Sequence, residues 1–146
     1  MTTVTLINDR VRTCYHDEDI NCATTSLRIL AELCGIVLNQ QVVDAAIGMH
    51  GAGGYGAQCG LVEGGLMFIG IMGRKHRLPD EVIVDICREF GRRFEEHFSS
   101  LQCSSLRPEG FHPENPPHLC ENLTCRATEF TARFVEEQFE RSRCCR

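Results

Sequence analysis

Tryptophan is absent from this chain and tyrosine occurs only twice, which leaves little aromatic surface on which nucleic-acid bases could stack. A net charge of -5 likewise gives a phosphate backbone no general attraction. The one basic run, Arg74-Lys75-His76-Arg77, reads as a solvated turn after a helix. Long apolar runs are missing too. The longest, residues 61 to 72, carries Glu63 and several glycines and is too short to cross a bilayer. The first residues, MTTVTLINDRVRTCYHDED, lack the basic head and apolar block of an export signal. The chain is therefore expected to be soluble and cytoplasmic, with neither nucleic acid nor membrane as its partner.

Standard metal spacings are missing as well. There is no C-x-x-C, no paired knuckle of the zinc-ribbon type and no C-x-x-C-H for attached haem. What the chain has in excess is cysteine itself: ten, at positions 14, 22, 34, 59, 87, 103, 120, 125, 144 and 145. A domain of this length buries enough surface to fold without a disulfide framework. In a reducing compartment such an excess points to metal binding, redox exchange or inert burial.

Apolar residues recur at helical spacing, and sustained period-two alternation is absent, so the fold class is all-α. The pattern predicts one compact bundle of about five helices over residues 1–146, with the ends 1–15 and 140–146 flexible. Helices are expected from Asp19 or Asn21 to Cys34, closed by Gly35, and from about 40 to 47. A central helix, apolar nearly all round, should run from about 57 to 72 and stop at Gly73. A fourth follows Pro79 with Ile83, Ile86, Cys87, Phe90, Phe94 and Phe98 on its buried stripe. The last starts near Pro117. A glycine-rich loop precedes the central helix, and a loop holding four of the five prolines precedes the last.

Three cysteines then share a position. Cys22, Cys59 and Cys120 each fall in the first turn of a helix, where unpaired N–H groups and the helix dipole favour thiolate over thiol. Cys103 lies in the loop after the fourth helix, free to join a site built by other elements. Cys125 is a second choice, displaced from Cys120 by more than a turn of the same helix. Cys34 and Cys87 read as small buried hydrophobes. Cys14 is undecided, and Cys144 and Cys145 sit on a tail without a preformed site. Gly56, Gly60 and Gly64 are four apart, which suits close helix packing or close approach to a bulky group. GAGGYG lacks the strand and lysine of a phosphate loop.

Asn21-Cys22-Ala23 at a helix start, the glycine-rich segment leading into Cys59-Gly60-Leu61-Val62-Glu63-Gly64, Cys103 after FGRRFEEHF, and Cys120 opening a final helix resemble the redox-active proteins named for a C-GCAxxG-C-C pattern. The resemblance covers about residues 15 to 137. It implies four characteristic cysteines, here Cys22, Cys59, Cys103 and Cys120, and a redox role. In the form CGAxxG the motif appears here as CGLVEG, with Leu61 in place of alanine. The pattern is also similar to part of the split-Soret cytochromes, which implies an iron-sulfur site but, without C-x-x-C-H, no haem.

Three functions follow as expectations. The first is electron transfer through an iron-sulfur cluster on those four cysteines, serving a redox partner protein. The second, without a cofactor, is a thiol-disulfide enzyme or sensor with Cys59 as the reactive thiolate and Cys22 as the other candidate, where His50 and His118 could move protons. The third is a helical binding module stapled by zinc. Oligomeric state is open, a homodimer included.

Overall fold

The computed structural model describes residues 1–108, 110 and 112–139. The expectations for residues 140–146, Cys144 and Cys145 among them, lie outside that range. The described chain is all-α, with eight helices of which five have seven residues or more. In order these are α1 (Thr3–Arg12), α2 (Cys22–Cys34), α3 (Gln40–Ala45), α4 (Gly51–Gly54), α5 (Gly60–Lys75), α6 (Asp80–Phe98), α7 (Cys103–Leu106) and α8 (Glu121–Gln138). A π-helical turn, Thr13–Asp17, continues α1, and a 3-10 turn, Pro117–Cys120, leads into α8. Among the described residues, no helix is long and apolar enough to cross a membrane.

α5 is the central element, packed against α2, α6 and α8. Its glycines set how closely. A Cβ on Gly64 would stand 2.7 Å from the Ala23 carbonyl oxygen of α2, and one on Gly65 would stand 2.7 Å from the Phe90 ring of α6. Phe90, Phe94 and Phe98 of α6 are buried as the periodicity predicts, and Phe90 meets Phe134 of α8 edge-on at 5.3 Å between ring centroids. Gly73 does not stop the central helix. It lies inside α5, where a Cβ would fall 2.5 Å from Ile83, so this glycine serves the α5–α6 contact.

The first segment is helical and packed on the rest of the chain. Thr2 caps α1 by accepting from the Thr5 N–H, and Ile7 and Val11 are fully buried in a second apolar cluster with Cys14, Tyr15 and Ile29. The segment is short of apolar residues, but those two sit four apart on one face, which is enough to dock it. The π-helical turn carries Tyr15 into the interior, where its hydroxyl and that of Thr124 on α8 hydrogen-bond at 2.5 Å. Tyr15→Phe removes one partner of a buried pair and is expected to cost about 1–3 kcal/mol in denaturant unfolding, with the helical far-ultraviolet spectrum kept.

The fourth-helix cysteine Cys87 is a partly buried free thiol packed against the main core, in keeping with a space-filling role. Cys34 departs from that reading. It is buried at the end of α2 and disulfide-bonded.

Candidate functional site

Asn21 fixes the first corner of the site. Its side-chain oxygen accepts from the Thr24 N–H at 2.8 Å, capping α2, while its amide group donates to the Ile47 carbonyl at 2.8 Å. One residue thus starts the helix, ties it to the end of α3 and sets Cys22 at the first helical position. Cys59 occupies the cap position of α5. The helix beginning there passes so close to α2 that a Cβ on Gly60 would lie 2.3 Å from the Cys22 sulfur and 3.0 Å from the Ala23 nitrogen. The absence of that one carbon lets the two cysteine-bearing helix starts meet.

Cys103 is brought in by a pairing of segments remote in sequence. Gln58 and Gln102 form an isolated antiparallel bridge. The Cys59 N–H donates to the Leu101 carbonyl at 2.8 Å, and the Cys103 N–H donates to the Ala57 carbonyl at 2.7 Å. Cys103 thereby opens the short helix α7 instead of lying in an unstructured loop. Gly51 packs on its other side, where a Cβ would approach the Cys103 sulfur to 3.4 Å. Gly51 has a φ of +64°, a left-handed conformation that a side chain would strain as well. Cys120 ends the 3-10 turn and stands at the cap position of α8.

Cys22, Cys59, Cys103 and Cys120 all line one cavity of about 640 Å³. Asp19, Gln40, Asp44 and Pro113, which are exposed, mark where it opens to solvent. All four cysteines are free thiols. Among the described residues no three His, Cys, Asp or Glu side chains are grouped so as to hold a metal ion. Cys125 does not line the cavity but packs against the second apolar cluster, on another side of α8. Of the two histidines, His50 lines the cavity, whereas His118 stacks on His16 at 5.3 Å, and His16 in turn meets Glu121 at 2.9 Å.

The expected acidity of Cys22, Cys59 and Cys120 is reversed. Burial pushes the Cys59 pKa up to about 12, against hydrogen bonds to its sulfur from the N–H groups of Leu61 and Val62 and with repulsion from Cys103 and Cys120. Burial raises Cys22 further, with the other three cysteines adding to it, and burial also raises Cys120, which the Arg107 charge opposes. The helix-start N–H groups are present as predicted, but desolvation outweighs them. The sign of the consequence follows. Cys59 ionises near its usual 9.0 when unfolded and near 12 when folded, so the apo chain keeps this contribution below about pH 9 and loses it as pH rises toward 12. Melting temperature of the apo chain should fall from pH 8 to pH 10.5, and Cys59→Ala should flatten the fall.

Sequence reading missed Arg107, which lines the same cavity, and Gly51. Arg107 lies four residues after Cys103, one helical turn on, and that spacing was the available signal.

The family model described as "Putative redox-active protein (C_GCAxxG_C_C)" matches residues 20–134. An uncharacterized protein of Archaeoglobus fulgidus is 31% identical over 134 residues, covering 84% of this chain and 89% of its own length. No solved structure matches. Four cysteines in the family's order, opening four helical segments around one cavity, accompany a match over most of the chain, and the protein belongs to the C_GCAxxG_C_C family of redox-active proteins.

Proposed function

We propose that the chain is an electron-transfer protein in which Cys22, Cys59, Cys103 and Cys120 hold an iron-sulfur cluster. The observation that carries this reading is the delivery of four free cysteines, from four separate helix starts, to the wall of a single cavity. The residues suit such a group in three respects. The donors are all thiols, as iron-sulfur clusters use. The backbone N–H groups of Ala23, Leu61 and Val62 favour the ionised Cys22 and Cys59 sulfurs, and such donors help set a cluster's potential. Gly60 and Gly51 leave room beside Cys22 and Cys103 that a side chain would fill.

A bound cluster would supply one-electron chemistry. The protein's own residues place the four thiols at helix starts, bury Cys59 and supply N–H donors. Because the thiols must lose their protons on ligation, loading releases protons and strengthens as pH rises. A redox partner protein would approach the cavity where Asp19, Gln40, Asp44 and Pro113 surround it. A single zinc ion is the weaker fit, since a zinc site of this kind needs its thiolates gathered on one point. Anaerobic reconstitution with iron and sulfide, followed by iron and acid-labile sulfide analysis, tests the assignment.

One observation favours a second reading. The paired segments bring Cys59 and Cys103 onto neighbouring backbone, where a reversible disulfide would release two electrons and two protons to a two-electron acceptor such as another disulfide. Peptide mapping after mild oxidation distinguishes it, since this reading requires one defined disulfide among the four. The raised Cys59 pKa makes it the slower route, because the thiolate is the attacking form.

A further inference from the structure

Arg107 occupies an unusual position between two of the four cysteines. It ends α7, one turn after Cys103, with its backbone N–H donating to the Cys103 carbonyl at 3.0 Å. Its guanidinium donates through one terminal nitrogen to the carbonyls of Asn115 at 2.8 Å and Pro116 at 3.3 Å, just before the turn that carries Cys120. The side chain is thus anchored to both cysteine-bearing ends of the proline-rich loop while lining the cavity.

Among the described residues its charge is not matched by a carboxylate. Arg28, the other arginine of the cavity wall, pairs with Glu18 at 2.8 Å, whereas Arg107 has only carbonyl partners among the described residues. Its Nε is buried and makes no hydrogen bond. A buried, unsatisfied donor costs about 1–3 kcal/mol, and the cost is greater on a charged group, so such a nitrogen calls for an anionic acceptor close by.

We propose that Arg107 is the positioning charge that sets the redox potential of the four-cysteine site. This rests on the cluster reading above. Reduction adds one negative charge to the site, where a fixed cation on the cavity wall stabilises the reduced form more than the oxidised one and so raises the potential. The proline-rich loop gains a purpose from this: its carbonyls hold the guanidinium in place without neutralising it.

The test compares the full chain with Arg107→Lys and Arg107→Gln, each reconstituted anaerobically with ferrous iron and sulfide, by iron content and optical redox titration. Lysine keeps the charge but not the forked hydrogen bonds, so the pair separates charge from loop anchoring. The Gln variant should make the reduced form about tenfold less favoured, which for a one-electron couple is about 59 mV toward negative potential. The Lys variant should stay near wild type. An unchanged potential in the Gln variant, or equal shifts in both, overturns the assignment. So does loss of iron from both variants when circular dichroism shows them folded, because Arg107 is then only a loop anchor. If the wild type itself takes up no iron, the cluster reading falls, and this one with it.

Discussion

Alanine at any one of Cys22, Cys59, Cys103 or Cys120 should cut iron retained after reconstitution and desalting by roughly tenfold or more, given that even residues behind the ligands change metal affinity by 10–100-fold. Cys87→Ala and Cys125→Ala should retain wild-type iron. The contrast follows from placement: the first four line one cavity, while Cys87 sits on α6 against the main core and Cys125 against the second apolar cluster. Circular dichroism on each variant separates loss of a ligand from loss of the fold. The fold should survive, because Phe68, Phe90, Phe94, Leu27 and Leu30, the large buried side chains of the core, stay in place in every variant. If Cys125→Ala loses iron and Cys120→Ala does not, the ligand set is wrong at its fourth member.

Gly60→Ala is expected to damage the site without removing a single sulfur. The added carbon would stand 2.3 Å from the Cys22 sulfur and 3.0 Å from the backbone nitrogen of Ala23, distances that force either the thiol or the two helices to move. Overpacking of this kind costs about 1–3 kcal/mol. Any movement that relieves it also displaces Cys22 from the cavity wall, so iron retention should fall together with stability. Gly70→Ala is the matched control. It lies in the same helix with nothing within 4 Å of its Cβ position, so alanine should stabilise α5 by about 0.5–1 kcal/mol and leave the site intact. Equal melting temperatures and iron contents for Gly60→Ala and wild type would show that α2 and α5 have slack that this geometry denies.

Features set by local chemistry could be read from the sequence. Asn21 before a helical stripe, Gly35 after it, and the helix-start positions of Cys22 and Cys59 all follow from capping and periodicity, and the structure has them. Gly60 and Gly64 were legible as a close-packing face, though not the partner they face. Features set by contacts between distant segments could not be read. Nothing local announces that residues 56–59 pair with 101–104, yet that pairing places Cys103. Gly73 looked like a helix stop because glycine often is one, and only the arrival of Ile83 from α6 gives it another use. The acidity of the thiols failed for a related reason. A helix start is visible in sequence, whereas the burial that outweighs it exists only once α2, α5, α7 and α8 have come together.

The central claim is that the four cysteines bind iron and sulfide. Protein purified and reconstituted without oxygen, freed of unbound metal and assayed for iron, acid-labile sulfide and visible absorption, tests it most directly. Brown protein containing both elements is expected, with Cys22, Cys59, Cys103 and Cys120 shielded from alkylation. Colourless protein without iron, in which all four thiols alkylate once the chain is loosened in mild denaturant whether or not iron and sulfide were supplied, would contradict it.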